Sequence, residues 1–179
     1  MKRLIIGIMS LLLMSTGCVW GNSTLVTEET NSLSGLESSM SSLPVEAQSL
    51  LDIELPACVR DATVFEVAYV TRVIDGDSIE VSLNGVEEQV RYIGVNTPEY
   101  YSDEREDAIT ATDLNRELVE GRYVLLIKDV SERDKFERLL RYVFTEDYFV
   151  NYELVEEGVA EVKSYPPDTA CHEYLSKGD

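Results

Sequence analysis

The chain has 179 residues, 44% hydrophobic and 27% charged, and its 15 Lys and Arg face 34 Asp and Glu for a formal net charge of −19. That mixture supplies enough apolar surface for one small core and excludes a wholly disordered chain. The acid excess argues against a protein that embraces polyanions through a broad basic face.

Lys2 and Arg3 precede the apolar run Leu4 to Met14. At about eleven residues the run is too short for a bilayer span of ~20 residues and fits the core of an export signal. Ser15-Thr16-Gly17-Cys18 follows, and small residues before a cysteine resemble the lipobox of bacterial prolipoproteins, although Ser15 is less typical there than Leu. On this reading residues 1–17 are a lipoprotein-type signal peptide and Cys18 is the lipidated first residue of the mature chain. The protein is then extracytoplasmic and touches the membrane through its lipid anchor only; an ordinary cleaved signal followed by secretion is the alternative. Three thiols in an exported chain leave one over, so with Cys18 lipidated, Cys58 and Cys171 are expected to form a disulfide. Such a bridge closes a loop of more than ~100 residues, worth up to about 4 to 5 kcal/mol in the chain-entropy view.

Residues 18–57 read as the lipidated cysteine and a flexible linker, with Ser-Ser-Met-Ser-Ser, scattered Thr and Glu, and no Lys or Arg. Within it, Val45 to Asp52 can make a helical turn or two behind Pro44. Residues 58–179 are the expected folded domain. Phe65 to Ile74 and Ser78 to Leu83 are β-rich, the second closed by Asn84-Gly85, a strong hairpin signal, and a third strand is predicted from Glu88 to Val95. Asp103 to Glu120 reads as a helix with Ala111, Leu114 and Leu118 on one face and Gly121 as its stop. Strands follow at Tyr123 to Ile127 and Leu139 to Phe144, and Asn151 is placed to cap a short helix through Glu157 that Gly158 ends. Tyr165-Pro166-Pro167 breaks the chain again. This order suits a mainly β, α+β domain: a five-stranded OB-fold barrel with a helix inserted between its third and fourth strands, although a small open α+β sheet fits the same string.

Certain residues carry chemistry. Ile74-Asp75-Gly76-Asp77-Ser78 puts two carboxylates around a glycine at a strand junction, where hard oxygens can ligate Ca²⁺ if other parts of the chain complete a shell of about six to eight oxygens. Alone, it is a tight turn. Arg91, inside the apolar run Val90 to Val95, needs an anionic partner or an exit to solvent. Val95-Asn96-Thr97-Pro98-Glu99 presents an amide, a hydroxyl and a carboxylate within a turn, and Arg133 to Arg138 is a charged segment leading into a strand.

Jointly, and in the same order and spacing, Val73 to Ser78, Arg91 to Glu99, Arg138-Leu139-Leu140 and Val150 to Val155 resemble the thermonuclease family, the staphylococcal-nuclease-like domains, across nearly all of Ala68 to Pro167. The resemblance implies an OB-fold enzyme that hydrolyses DNA and RNA phosphodiesters with Ca²⁺ and releases 3′-phosphates. It implies that Asp77, Asn96 and the Thr97 carbonyl hold the metal, that Glu99 orients or deprotonates the attacking water, that Arg91 and Arg138 grip the phosphate, and that Tyr165 lines the nucleotide pocket. A monomer is expected.

Three departures favour a second reading, a catalytically decayed nuclease-fold binding or scaffold module. Asn96 stands where the family has Asp, Glu137 where it has Gly beside the phosphate-gripping arginine, and the chain stops soon after His172 where relatives continue into a long helix, so the C-terminal helix looks truncated and the barrel under-covered. His172, the single histidine, is assigned to the surface. From Arg60 onward 13 basic side chains meet 28 acidic ones, a net −15 that predicts weak non-specific affinity for nucleic acid.

Overall fold

The computed structural model describes residues 43–101 and 103–178. The expected signal segment and the lipidation of Cys18 lie outside the described residues. The chain forms α1 (Val45–Gln48), β1 (Phe65–Asp75), β2 (Ser78–Leu83), β3 (Val86–Tyr92), β4 (Val95–Asn96), α2 (Arg105–Val119), β5 (Tyr123–Ile127), β6 (Leu139–Phe144), α3 (Val150–Glu156), β7 (Glu161–Val162) and α4 (His172–Leu175). Five strands close a barrel in the order β1-β2-β3-β6-β5, with β3 and β6 parallel and the other pairs antiparallel. Helix α2 lies between the third and fourth barrel strands, the OB-fold order the sequence suggested.

Alternation builds the barrel. In β1–β3, Val70, Ile79, Val81 and Val90 are buried and most of their strand neighbours are polar, whereas β5 and most of β6 are buried on both faces, with Val124, Leu125, Leu126, Ile127, Tyr142, Val143 and Phe144 all in the core. The β2–β3 hairpin turns on Asn84 and Gly85, both at positive φ (53° and 81°), as a two-residue turn of matching twist requires. Helix α2 buries Ala108, Ala111, Leu118 and Val119.

Three expectations are corrected, and one charged segment gains a definite shape. The third strand does not run to Val95: it ends at Tyr92, and Gly94 at φ 80° swings the chain out so that Val95 and Asn96 pair with Val162 and Glu161 instead of the barrel. A side chain there would be strained and would also meet Leu175 Cδ1 at 2.6 Å. Asn151 is not a helix cap. It lies inside α3, fully buried, where its amide donates to the Ile93 carbonyl at 2.8 Å and accepts from Val143 N–H at 2.9 Å, tying β6 to the turn that leads to the site. The segment Val45–Leu55, expected in the linker, belongs to the folded unit, with Ala47 and Leu50 buried and Ile53 and Leu55 packed on the core. The segment Arg133 to Arg138 is an ordered turn, because the Asp134 carboxylate accepts from the backbone N–H of Phe136 (2.9 Å) and Arg138 (3.0 Å).

Cys58 and Cys171 are joined by a disulfide. It ties the single turn Ala57–Val59 to the start of α4, where Leu175 is buried and Tyr174 joins the aromatic group of Phe149 and Tyr152.

Candidate active site

The strand ends carry the site. The tight turn after β1 brings Asp75 and Asp77 to the barrel rim, and Gly76 permits it, since a Cβ there would lie 2.7 Å from both Ala111 and Thr97. Asp77 is buried and fully engaged: Oδ1 meets Arg91 Nη1 at 2.7 Å, and Oδ2 accepts from Thr97 N–H at 2.8 Å and Thr97 Oγ1 at 3.1 Å. The anionic partner that Arg91 needed within its apolar strand is therefore Asp77. The second arm of Arg91, Nη2, donates to Asn96 Oδ1 at 3.2 Å, and Asn96 Nδ2 donates to the Thr97 carbonyl at 3.3 Å.

Burial pushes the Asp77 carboxyl up to about 6, against the pull of Arg91 and the Thr97 donors and with a further push from Asp75. Desolvation outweighs the ion pair because the carboxylate has left water while one guanidinium compensates only part of that loss.

Across the rim, Arg138 donates through Nε to Asp134 Oδ2 at 2.8 Å and pairs through Nη2 with the same oxygen at 2.7 Å, while Nη1 reaches Ser78 Oγ at 3.4 Å. Glu137, just before it, sits at φ 66°, the left-handed conformation that glycine would take without strain. Phe136 is exposed, with the guanidinium carbon of Arg138 5.5 Å and Lys135 Nζ 4.8 Å from its ring centre.

One cleft of about 780 Å³ gathers these groups: Asp77, Arg91, Asn96, Glu99, Arg138 and Tyr165 all line it. Thr97 lies beneath, its side chain turned to Asp77. His172 is partly buried at the start of α4 and does not line the cleft.

Sequence reasoning passed over the supports. Asn115 on α2 is fully buried; it donates to the Asp75 carbonyl at 2.8 Å and accepts from the Tyr92 hydroxyl at 2.8 Å, joining the turn, the end of β3 and the helix. A polar residue on the apolar face of an amphipathic helix was the available signal. Asp134 was seen only as part of a charged run, and its spacing of four from Arg138 was the clue to their pairing.

No group of three or more His, Cys, Asp or Glu side chains arranged to hold a metal occurs among the described residues. Beside its carboxylates the cleft offers the neutral side-chain oxygen of Asn96. The donor chemistry fits Ca²⁺: Asp75, Asp77, Asn96 and Glu99 bring only hard oxygens to the cleft, and water can fill the remaining positions. The raised Asp77 is also a carboxyl whose charged form a bound dication would favour.

A family profile described as "Staphylococcal nuclease homologue" matches residues 89–177, from β3 to α4. The chain belongs to the staphylococcal nuclease family. It is 37% identical over 102 residues to the thermonuclease of Staphylococcus intermedius, a match covering 55% of this chain and 61% of that protein. It is 33% identical over 111 residues to the thermonuclease of Staphylococcus hyicus, covering 60% and 66%. Endonuclease YncB of Bacillus subtilis (strain 168) is 40% identical over 106 residues, covering 55% of this chain and 49% of the relative. The chain thus spans about half to two thirds of the length of these curated relatives.

Proposed function

We propose that this member of the staphylococcal nuclease family is a calcium-dependent endonuclease that hydrolyses phosphodiester bonds of DNA and RNA and leaves 3′-phosphate ends. The supporting observation is the convergence of Asp77, Arg91, Asn96, Glu99 and Arg138 on one cleft from four separate chain segments.

A phosphodiester resists attack because its negative charge repels the nucleophile, and the five-coordinate transition state concentrates further charge on the equatorial oxygens. Arg91 and Arg138 offer planar forks that donate paired hydrogen bonds to those oxygens, a geometry Lys cannot match. Asp77 and Asp134 hold the two guanidiniums in place before substrate arrives. Glu99, exposed at the edge of the cleft, orients a water and takes its proton, and Tyr165 lines the nucleotide side. Asp77, Asn96 and the Thr97 carbonyl would hold Ca²⁺, which when bound supplies Lewis-acid stabilisation of the developing charge.

Purified mature protein is expected to degrade DNA in Ca²⁺ and to stop with a chelator, with products whose ends are labile to a 3′-phosphatase. If Glu99→Gln leaves the rate unchanged, the assigned mechanism fails. The decayed-module reading draws on the Arg138–Asp134 contact, which already satisfies the guanidinium with a carboxylate, and on the acid excess. It predicts no turnover at any calcium concentration and no rescue by Asn96→Asp combined with Glu137→Gly.

We also propose anchoring through a lipidated Cys18 outside the cytoplasm, supported by the sequence before it. The mass of the mature N-terminal peptide should show acyl chains on Cys18; a free, unmodified Cys18 thiol overturns the anchor.

A further inference from the structure

A second groove of about 540 Å³ opens on the α2 side of Glu99. It shares Asp75, Asp77 and Glu99 with the cleft, so the two are continuous at the proposed reaction centre, yet neither Arg91 nor Arg138 lines it. Its walls are Tyr100, Tyr101, Ile109, Thr112 and Arg116, the last paired with Asp113, which also lines the groove.

The tyrosines are placed at a cost. Tyr101 is 97% exposed, Tyr100 46% and Ile109 41%, three large apolar side chains presented to water on one rim of the protein. Tyr100 is held rather than loose: Arg105 Nη2 donates to its hydroxyl at 2.5 Å, the guanidinium carbon lies 4.6 Å from its ring centre, and the Tyr101 ring meets it edge-on at 5.4 Å and 85°. The floor is rigid, because α2 packs so closely on the Asp75–Asp77 turn that Gly76 has no room for a Cβ. Oriented aromatic faces are the elements with which proteins hold unpaired bases, because every base has a π-face that can stack on them.

We infer that the Tyr100–Tyr101 groove is a stacking subsite for the nucleotides of a single strand that continues past Glu99, beyond the part of the cleft that Arg91 and Arg138 line. This rests on the nuclease reading and deepens it. Unpaired bases are the fitting ligand because only a strand with exposed π-faces can use the rings, and stacking tolerates an acidic domain that would repel a duplex bound through phosphates alone. Binding beyond the scissile phosphate is thus carried by aromatic contact, and single strands are preferred.

The test measures fluorescence anisotropy of labelled probes in Ca²⁺ on a Glu99→Gln background, which stops turnover. Lengthening a single-stranded probe from a dinucleotide to about eight nucleotides is expected to raise affinity, and Tyr100→Ala with Tyr101→Ala to erase about tenfold to a hundredfold of that gain. Tyr100→Phe with Tyr101→Phe should restore it, and Tyr101→Ala alone, at an exposed position, should remove part of it if the double variant folds poorly. Duplex of the same length should show no such loss. An unchanged length gain in the alanine variants, no gain in the parent, or an equal loss on duplex would overturn the subsite. Failure of the wild-type chain to cleave DNA would instead sink the nuclease reading, while the binding comparison still decides the groove.

Discussion

The two arginines that line the cleft are held in contrasting ways. Arg91 is anchored from the core: it rises from a barrel strand, its side chain is 13% exposed, and its partners Asp77 and Asn96 are tied in turn to Thr97. Arg138 is anchored mainly by a local turn, through one carboxylate four residues earlier, with a longer contact to Ser78 Oγ, next to a residue in a left-handed conformation. One wall of the site is therefore part of the fold's stability and the other is nearly independent of it. A protein can vary the second wall, as Glu137 shows, without threatening the barrel.

Breaking each wall should expose the contrast. Arg91→Ala leaves the buried Asp77 carboxylate uncompensated and is expected to cost about 3 to 5 kcal/mol of stability, read as a lowered urea midpoint. Loss under about 1 kcal/mol would show that Asp77 is relieved by water or by protonation. Arg138→Lys should change stability by less than about 1 kcal/mol, since its pair is a partly exposed turn contact. It should still slow cleavage by about a hundredfold to a thousandfold, about 3 to 4 kcal/mol in the barrier, measured as kcat on single-stranded DNA.

Acidity sharpens the same comparison. The Asp77 carboxyl rises from an ordinary 3.8 to about 6 in the fold, so the folded protein holds its proton more tightly than the unfolded chain does. Its contribution to stability in calcium-free buffer is fully present below about pH 4 and is lost as pH rises through about pH 6. A urea midpoint followed over this range in chelator should fall with rising pH, and Asp77→Asn should flatten the trend. Calcium affinity should weaken below about pH 6, where the proton competes. Asp134 is shifted the other way: although burial opposes it, the hydrogen bonds from Arg138 and Phe136 lower its carboxyl, so the exposed turn should hold its shape until the solution is more acidic than ordinary carboxylate titration. The smallest effect is at Glu137→Gly, which removes a side chain from a positive φ and should stabilise the protein by about 1 kcal/mol. A destabilising result would mean that Glu137 contributes contacts that offset its strain.

Much of this was legible along the chain. Strand β2 falls where alternating apolar residues put it, because a half-buried strand must show period two whatever it pairs with, whereas β5 and β6 fall on short, nearly continuous apolar runs, the pattern of strands buried on both faces. The site residues were recognisable because each sits in a short motif with fixed spacing. Less visible were the breaks and clamps. The end of β3 at Tyr92 depends on Gly94 being squeezed by Leu175, some eighty positions away, and Asn151 looked like a cap because a polar residue at a helix start usually is one. Asn115 showed only as a polar residue on the apolar face of α2, and the Tyr100–Tyr101 groove had no local signature at all.

The amino-acid order by itself determined the strand periods, the β2–β3 turn, the helix face and the identity of the charged and polar groups that gather in the cleft, since these follow from backbone sterics, alternation and side-chain chemistry within a few residues. Tertiary structure alone decided which oxygen Arg91 would face, how far Asp77 would be lifted, and that a second aromatic groove adjoins the first. Those are properties of distance and desolvation between segments remote along the chain, and only the closed barrel brings such segments together.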